Sequence, residues 1–385
     1  MERDPYADAG VDVREGESFS AFASRVRRTT FRNCPYIFVL DLSGQDFRGR
    51  DLVFLRHQEY PFLRTCALGV AADGAGTKTI LVDAAQTWQQ AAFDVMAMCG
   101  GDVTRDGGLP VAFSNVLDVS NLGKEGDATN RAFRQTLLGL GAAAALEGVV
   151  LIGGETAELG VCVGSENPGA TTKFNWSGFM LGLYRQEKMT LGNTVHEGQI
   201  ILALKENGFR SNGISLVRQA FRTVFGEHWW ENPATGEAIQ EAATPSVLYD
   251  KMLAEANGWF GPTRIPAELI VHLTGGSFGT KLGSKLRPLG LSARLNDLFE
   301  PPPIMQQCAD WLGLDDEEAY RVWHGGQGAL VVLHESDVER FLAVTKVHGV
   351  GAKVCGKITK EDNPAITITS KFRSGKEIRY EHGGS

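Results

Sequence analysis

Apolar and polar positions change period repeatedly along this 385-residue chain. Val111–Val119 (VAFSNVLDV) predicts a strand, and Asn130–Glu147 predicts a helix with Phe133, Leu137 and Leu138 on one face. Val149–Ile152 then predicts a short buried strand running into Gly153-Gly154. Strands are expected again at Ile200–Leu204, Leu269–Leu273 and Ala329–Leu333, with helices from Ser211 to Phe221 and from Ser336 to Val347. Alternation of period two with period 3.6 predicts an α/β or α+β protein. A polar stretch near residues 185–198 separates two apolar blocks and predicts two domains, 1–185 and 186–385. The polar tail from Ser370 is expected to fray, and residues 228–243 (HWWENPATGEAIQEAA) read as a surface excursion whose tryptophans must pack somewhere.

Composition narrows the chemistry. With 38 Lys plus Arg against 46 Asp plus Glu the net charge is −8, so binding to a nucleic acid or an anionic membrane is disfavoured. Phosphates held by backbone amides remain possible. There is neither a run of about 18 apolar residues nor a secretory pattern at the acidic start. The six cysteines are scattered without a CxxC pair, which suits reduced thiols in the cytoplasm.

The 46 glycines exceed the average share, and they gather where strands are predicted to end: 72–78 (ADGAGTK), 152–158 (IGGETAE), 273–279 (LTGGSFG) and 324–328 (HGGQG). A glycine pair after a strand turns the backbone sharply and offers its N–H groups to a ligand. In the first cluster Asp73, Gly74, Gly76, Thr77 and Lys78 supply a carboxylate, amides, a hydroxyl and an ammonium. That set suits a nucleotide with Mg²⁺, although the Walker A spacing is absent. Ala91–Asp102 reads as a core helix that Gly100-Gly101 should end, delivering Asp102 just past its end. A carboxylate there gains nothing from the helix dipole, so a metal role is favoured. Glu155 and Glu158 follow a buried strand, where a metal or a substrate amine could meet them; a helix-capping role is the plainer reading. Arg210, Ser211 and Asn212 precede an amphipathic helix and could hold a ribose phosphate. His272, Thr274 and Gly275 put an imidazole, a hydroxyl and an amide at a strand end.

Read together, these segments resemble aminoimidazole ribonucleotide synthetase, or phosphoribosylformylglycinamidine cyclo-ligase. Tyr6–Val13 (YADAGVDV) is similar to that family's opening segment, and Asp73–Lys78 (DGAGTK) to its DGVGTK. Gly153–Glu158 (GGETAE) matches its motif, and Ser211–Arg218 (SNGISLVR), His272–Gly276 (HLTGG) and Ala319–Arg321 (AYR) follow in family order. The resemblance implies a two-domain fold, with an N-terminal sheet forming a barrel at a homodimer interface and a C-terminal α/β sandwich. It also implies closure of formylglycinamidine ribonucleotide to aminoimidazole ribonucleotide with ATP. By resemblance Asp73 and Asp102 bind Mg²⁺, and Gly74, Gly76, Thr77 and Lys78 attend ATP. Glu155 lies by the metal or the reacting amidine, and Arg210, Ser211, Asn212, Thr274 and Gly275 hold substrate. His272 lines the nucleotide site, and Asp102, Glu155 and His272 are the residues closest to the chemistry.

Departures from the family pattern are local. Residues 33–68 replace a GGFGG-like segment, Gly101 stands where an asparagine is usual, and Arg210 stands for a frequent histidine. HGGQG differs from the usual glycine turn, and no proline follows Glu158 in Leu159–Gly164. Related ATP enzymes such as thiamine phosphate kinases are an alternative. So is a non-catalytic nucleotide-binding relative. Selenophosphate synthetases and hydrogenase-maturation dehydratases are disfavoured, because no Cys precedes residue 34 and the chain ends in HGGS.

Overall fold

A computed structural model describes residues 13–42, 51–262, 264–275, 278–373 and 375–381. Most of the predicted opening segment Tyr6–Val13, together with residues 43–50 and Gly276, lies outside them. The fold is mixed α/β and divides into two compact units. The first comprises Met1–Gly100 with Pro110–Leu183, and the second Gly101–Leu109 with Tyr184–Ser385. The short segment Gly101–Leu109 thus departs from a single cut at residue 185.

In the first unit, helix α1 (Val13–Thr29) precedes a hairpin of β1 (Ile37–Leu40) and β2 (Leu52–Leu55), in which Phe38 faces Phe54. A second sheet has the order β3 (Ala67–Gly74), β7 (Phe174–Tyr184), β4 (Leu109–Val119), β5 (Val150–Leu151), and β6 (Glu155–Glu158) also pairs with β4. Strands β5 and β6 both run parallel to β4. The first residues of β4 are buried on both faces, which explains the unbroken apolar run there. Helix α2 (Lys78–Ala85) follows β3 directly, and α3 (Ala91–Thr104) comes next. Helix α4 (Ala128–Glu147) buries Phe133, Leu137, Leu140 and Ala144, a stripe of helical period. It ends where Gly148 takes the left-handed conformation (φ 69°).

The second unit is built on a seven-stranded sheet of order β14-β13-β10-β12-β8-β11-β9. These strands are β8 (Ile200–Lys205), β9 (Ala267–His272), β10 (Ser292–Leu295), β11 (Gln327–Leu333), β12 (Ala352–Thr359), β13 (Ala365–Thr369) and β14 (Glu377–Glu381). Strand β11 lies antiparallel between β8 and β9 and is buried along its whole length. Helix α5 (Ile214–Phe225) follows β8. Helices α6 (Asp250–Ala256) and α7 (Val338–Val347) bring Met252, Leu253 and Phe341 onto Leu202, Leu204 and Val331 in one core.

One expectation is corrected and another is filled out. The tail does not simply fray: Glu377–Glu381 pairs antiparallel with β13 as an edge strand. The excursion near residue 230 is ordered into two short 3₁₀ turns and a helix, Gly236–Ala242, around the fully buried Trp229.

Candidate active site

In the first unit, Asp73 stands exposed near the end of β3, and its Oδ1 accepts the Gly74 amide at 2.7 Å. The loop after it lies against β7, where Ala75 N–H donates to the Trp176 carbonyl at 3.0 Å. A Cβ at Gly74 would sit 2.9 Å from that same oxygen, so the close approach requires glycine. Gly76 adopts φ 56°, and Thr77 opens α2 without using its side chain as a cap. Exposed backbone at Gly76 and Thr77, at a helix start, is suited to a phosphate.

Lys78 does not point there. Its Nζ meets Asp94 Oδ1 at 2.7 Å, and both side chains are 1% exposed. The resemblance places this ammonium by the ATP phosphates, but the lysine stem reaches inward to the first turn of α3 and pins the glycine loop onto that helix. The carboxylate near the helix start is also favoured by the dipole.

Gly153 (φ 54°) and Gly154 (φ 146°) turn the chain between β5 and β6. A Cβ on Gly154 would lie 3.0 Å from Asn115 Nδ2, in a backbone region closed to other residues. The turn delivers Glu155, exposed and opposite Val116 of β4. Glu155 therefore starts a strand, not a helix, so the capping explanation does not apply. Glu158 is occupied otherwise, accepting the Leu122 amide at 3.2 Å.

Two cavities open beside this turn. One of about 300 Å³ has Val26 and Arg27 of α1, Leu137 and Leu140 of α4, and Gly154 and Glu155 among its walls. The other, about 360 Å³, shares Asn115, Gly153, Gly154 and Glu155 and adds Asp51. Arg27 joins Asp51 at 2.8 Å and Asp41 at 3.3 Å. Sequence reading missed Arg27, Asp51 and Asn115, since none lies in a glycine cluster and the stretch around Asp41–Asp51 has no readable period.

In the second unit, Asp102 is not past a helix end. Helix α3 continues to Thr104, and Asp102 pairs with Arg105 at 2.6 Å. Gly101 serves packing instead of termination: a Cβ there would fall 1.5 Å from His272 Cε1. The imidazole therefore fills the place beside Gly101 that a side chain would take. His272 is buried, and burial, reinforced by Arg210, Arg105 and Lys281, holds its pKa well below the ordinary value. Its Nε2 has no partner, and neither does the buried Oγ of Ser211. Orphaned polar atoms of this kind are expected where a ligand completes the bonding. Asn212 Oδ1 meets the Gly275 amide at 3.4 Å, joining two of the predicted substrate loops, while Thr274 is half-buried beside them.

Arg210 is a second correction. It is 1% exposed and turned inward to Glu206 at 2.8 Å, with its ring neighbour Tyr249. Its guanidinium supports the loop and offers no surface to a phosphate. Arg105 and Lys281 are the other cations facing His272, and no motif pointed to either.

Beneath this turn, Thr104 donates to the buried Asp250 at 2.7 Å. Burial lifts the Asp250 carboxyl to about 7, against the Thr104 bond and Arg210 and aided by Asp102. Because the folded carboxyl keeps its proton where the unfolded one has already lost it, stability falls as pH rises from 3.8 to about 7. Asp250→Asn removes that titration. The melting temperature of the variant, relative to the parent, is expected to rise steadily across this window; a difference independent of pH would contradict the assignment.

Among the described residues no three His, Cys, Asp or Glu side chains converge on one point. Mg²⁺ typically takes one or two carboxylates and completes its shell with water and substrate phosphates. In the first unit Asp73 is an exposed oxygen donor of that type; in the second, Asp102 is partly exposed and paired with Arg105.

Comparison with known proteins defines the class. Residues 61–183 match the AIR synthase related protein, N-terminal domain, and residues 196–369 the corresponding C-terminal domain. The chain belongs to this AIR synthase family, that of aminoimidazole ribonucleotide synthetase. It is 29% identical over 367 residues to the phosphoribosylformylglycinamidine cyclo-ligase of Alkaliphilus oremlandii, covering 92% of this chain and 97% of that one. With the enzyme of the same name from Oceanobacillus iheyensis it shares 28% over 366 residues, covering 94% and 99%. Among solved structures, thiamine-monophosphate kinase from Stenotrophomonas maltophilia has a TM-score of 0.57 at 15% identity, covering 90% and 95%. Hydrogenase maturation protein HypE, solved in complex with ATP, has a TM-score of 0.54 at 14% identity, covering 83% and 86%. These two share the fold. No helix among the described residues is long and apolar enough to cross a membrane.

Proposed function

We propose that this chain is a phosphoribosylformylglycinamidine cyclo-ligase: it uses ATP to close formylglycinamidine ribonucleotide to aminoimidazole ribonucleotide, with release of ADP and phosphate. The observation that carries the reading is similarity to cyclo-ligases along nearly the whole length of both chains. The local geometry supports it. Asp73, Gly76, Thr77 and Glu155 stand exposed at the two glycine turns, and Ser211 and His272 hold unpartnered polar atoms. Activation of a formyl oxygen by phosphoryl transfer depends on positioning and charge neutralisation more than on a strong nucleophile. Mg²⁺, when bound, would neutralise phosphate charge, with Asp73 and Asp102 as its protein ligands. Gly74, Gly76 and Thr77 attend the ATP phosphates. Ser211, Asn212, Thr274 and Gly275 orient the substrate, and Glu155 faces its reacting end.

The active form is a homodimer of the cytoplasm. Phe38 (58% exposed) and Val70 (68%) lie uncovered with Leu40, Leu52, Leu68 and Phe179 on strands of the first unit, an apolar surface suited to a second copy. None of the six cysteines is in a disulfide.

Asp102→Asn is expected to abolish substrate-stimulated ADP release while leaving thermal unfolding and the two-chain mass in solution unchanged. Near-normal turnover would refute the metal role.

A further inference from the structure

The cavity holding Asp51 and Glu155 contains an unfilled hydrogen-bonding position. Asp51 has a side chain wholly shielded from solvent; its Oδ2 meets Arg27 at 2.8 Å and the Gly153 amide at 3.4 Å, and the Leu42 backbone also lies beside the carboxylate. Its Oδ1 is buried and has no partner. Such an acceptor is expensive to leave unmet, so its persistence points to a group that arrives with the ligand. Among the described residues the walls of this cavity carry two carboxylates, Asp51 and Glu155, and no cation, while Arg27 pairs with Asp51 from the adjoining cavity. Glu155 therefore leaves this lining net negative, which favours a positively charged group rich in N–H donors over a phosphate. A planar group with two nitrogen donors is suited to carboxylate oxygens in the manner of a guanidinium fork.

We propose that Asp51 and Glu155 together bind the amidine end of the substrate, with Asp51 Oδ1 accepting one of its N–H groups. This rests on the cyclo-ligase reading, whose substrate carries an amidine as the ring-closing nucleophile. Asp51 is a substrate-binding residue located where residues 33–68 depart from the family pattern.

The test compares Asp51→Asn with Glu155→Gln, the latter leaving the Arg27–Asp51 pair intact. Each is expected to raise KM for formylglycinamidine ribonucleotide by about tenfold or more, the weight of a charge-assisted hydrogen bond, with KM for ATP unchanged. A rise in KM for ATP instead would overturn the assignment. Acetamidinium alone, titrated into the parent protein, should shift the Gly153 and Glu155 amide resonances, and the shift should vanish in Asp51→Asn. Failure of acetamidinium to move these resonances, or an equal shift in the variant, would overturn it, as would a response there to Mg²⁺ alone. If the parent protein turns over no substrate, the cyclo-ligase reading fails by itself, and the amidinium titration still decides the role of Asp51.

Discussion

Asp94→Asn is expected to destabilise the first unit by about 3–5 kcal/mol, because it leaves the Lys78 ammonium buried without its counter-charge. The two groups lie 2.7 Å apart and are almost wholly excluded from water, so neither can recover solvation locally. Denaturant unfolding should show the loss as a lower midpoint. Replacing both residues, Lys78→Met with Asp94→Leu, is expected to recover most of it, since a buried ion pair often does no better than an apolar pair of similar size. The glycine loop bearing Asp73 is pinned by this contact, so activity should fall in the single variant in step with stability. A loss below about 1 kcal/mol would place the pair among exposed salt bridges and contradict its burial.

Gly101→Asn is expected to be damaging as well, although asparagine is the usual residue at this position in the family. Its Cβ would sit 1.5 Å from the imidazole of His272, far inside any permitted contact. The ring must leave its buried site or α3 must shift. Overpacking of this kind typically costs about 1–3 kcal/mol and displaces neighbouring side chains. Because Asp102 is the next residue, turnover should drop as well. His272→Ala in the same chain removes the obstructing atoms, and a double-mutant cycle in thermal stability should reveal a favourable coupling between the two changes. Strictly additive losses would mean that the ring and the glycine do not compete for the same space.

The periodic parts of this fold were legible in the sequence. Strands β4, β8, β9 and β11 and helices α4 and α7 follow clear runs of period two or 3.6, and the GGETAE turn was readable because Gly153 and Gly154 need backbone angles that few other residues adopt. What escaped reading depended on partners distant in sequence. Gly100-Gly101 looks like a helix terminus in one dimension, yet here a missing Cβ makes room for His272, a residue on β9. Lys78 and Arg210 each follow or adjoin a glycine-rich loop and so read as phosphate ligands. Only the folded chain reveals that Asp94 and Glu206 draw them inward. Glu206, four residues before Arg210, was a local clue to that pairing. Asp51 gave no signal at all, since neither its spacing nor its neighbours mark it. Its role emerges from burial and an unmet oxygen.

Cyclo-ligase activity is decided by incubating the purified chain with ATP and Mg²⁺, with and without formylglycinamidine ribonucleotide, and following ADP and aminoimidazole ribonucleotide together. Negligible ADP release is expected without the substrate, and with it ADP and aminoimidazole ribonucleotide should form in equal amounts. ADP release that ignores the substrate, or the absence of the imidazole product, would contradict it.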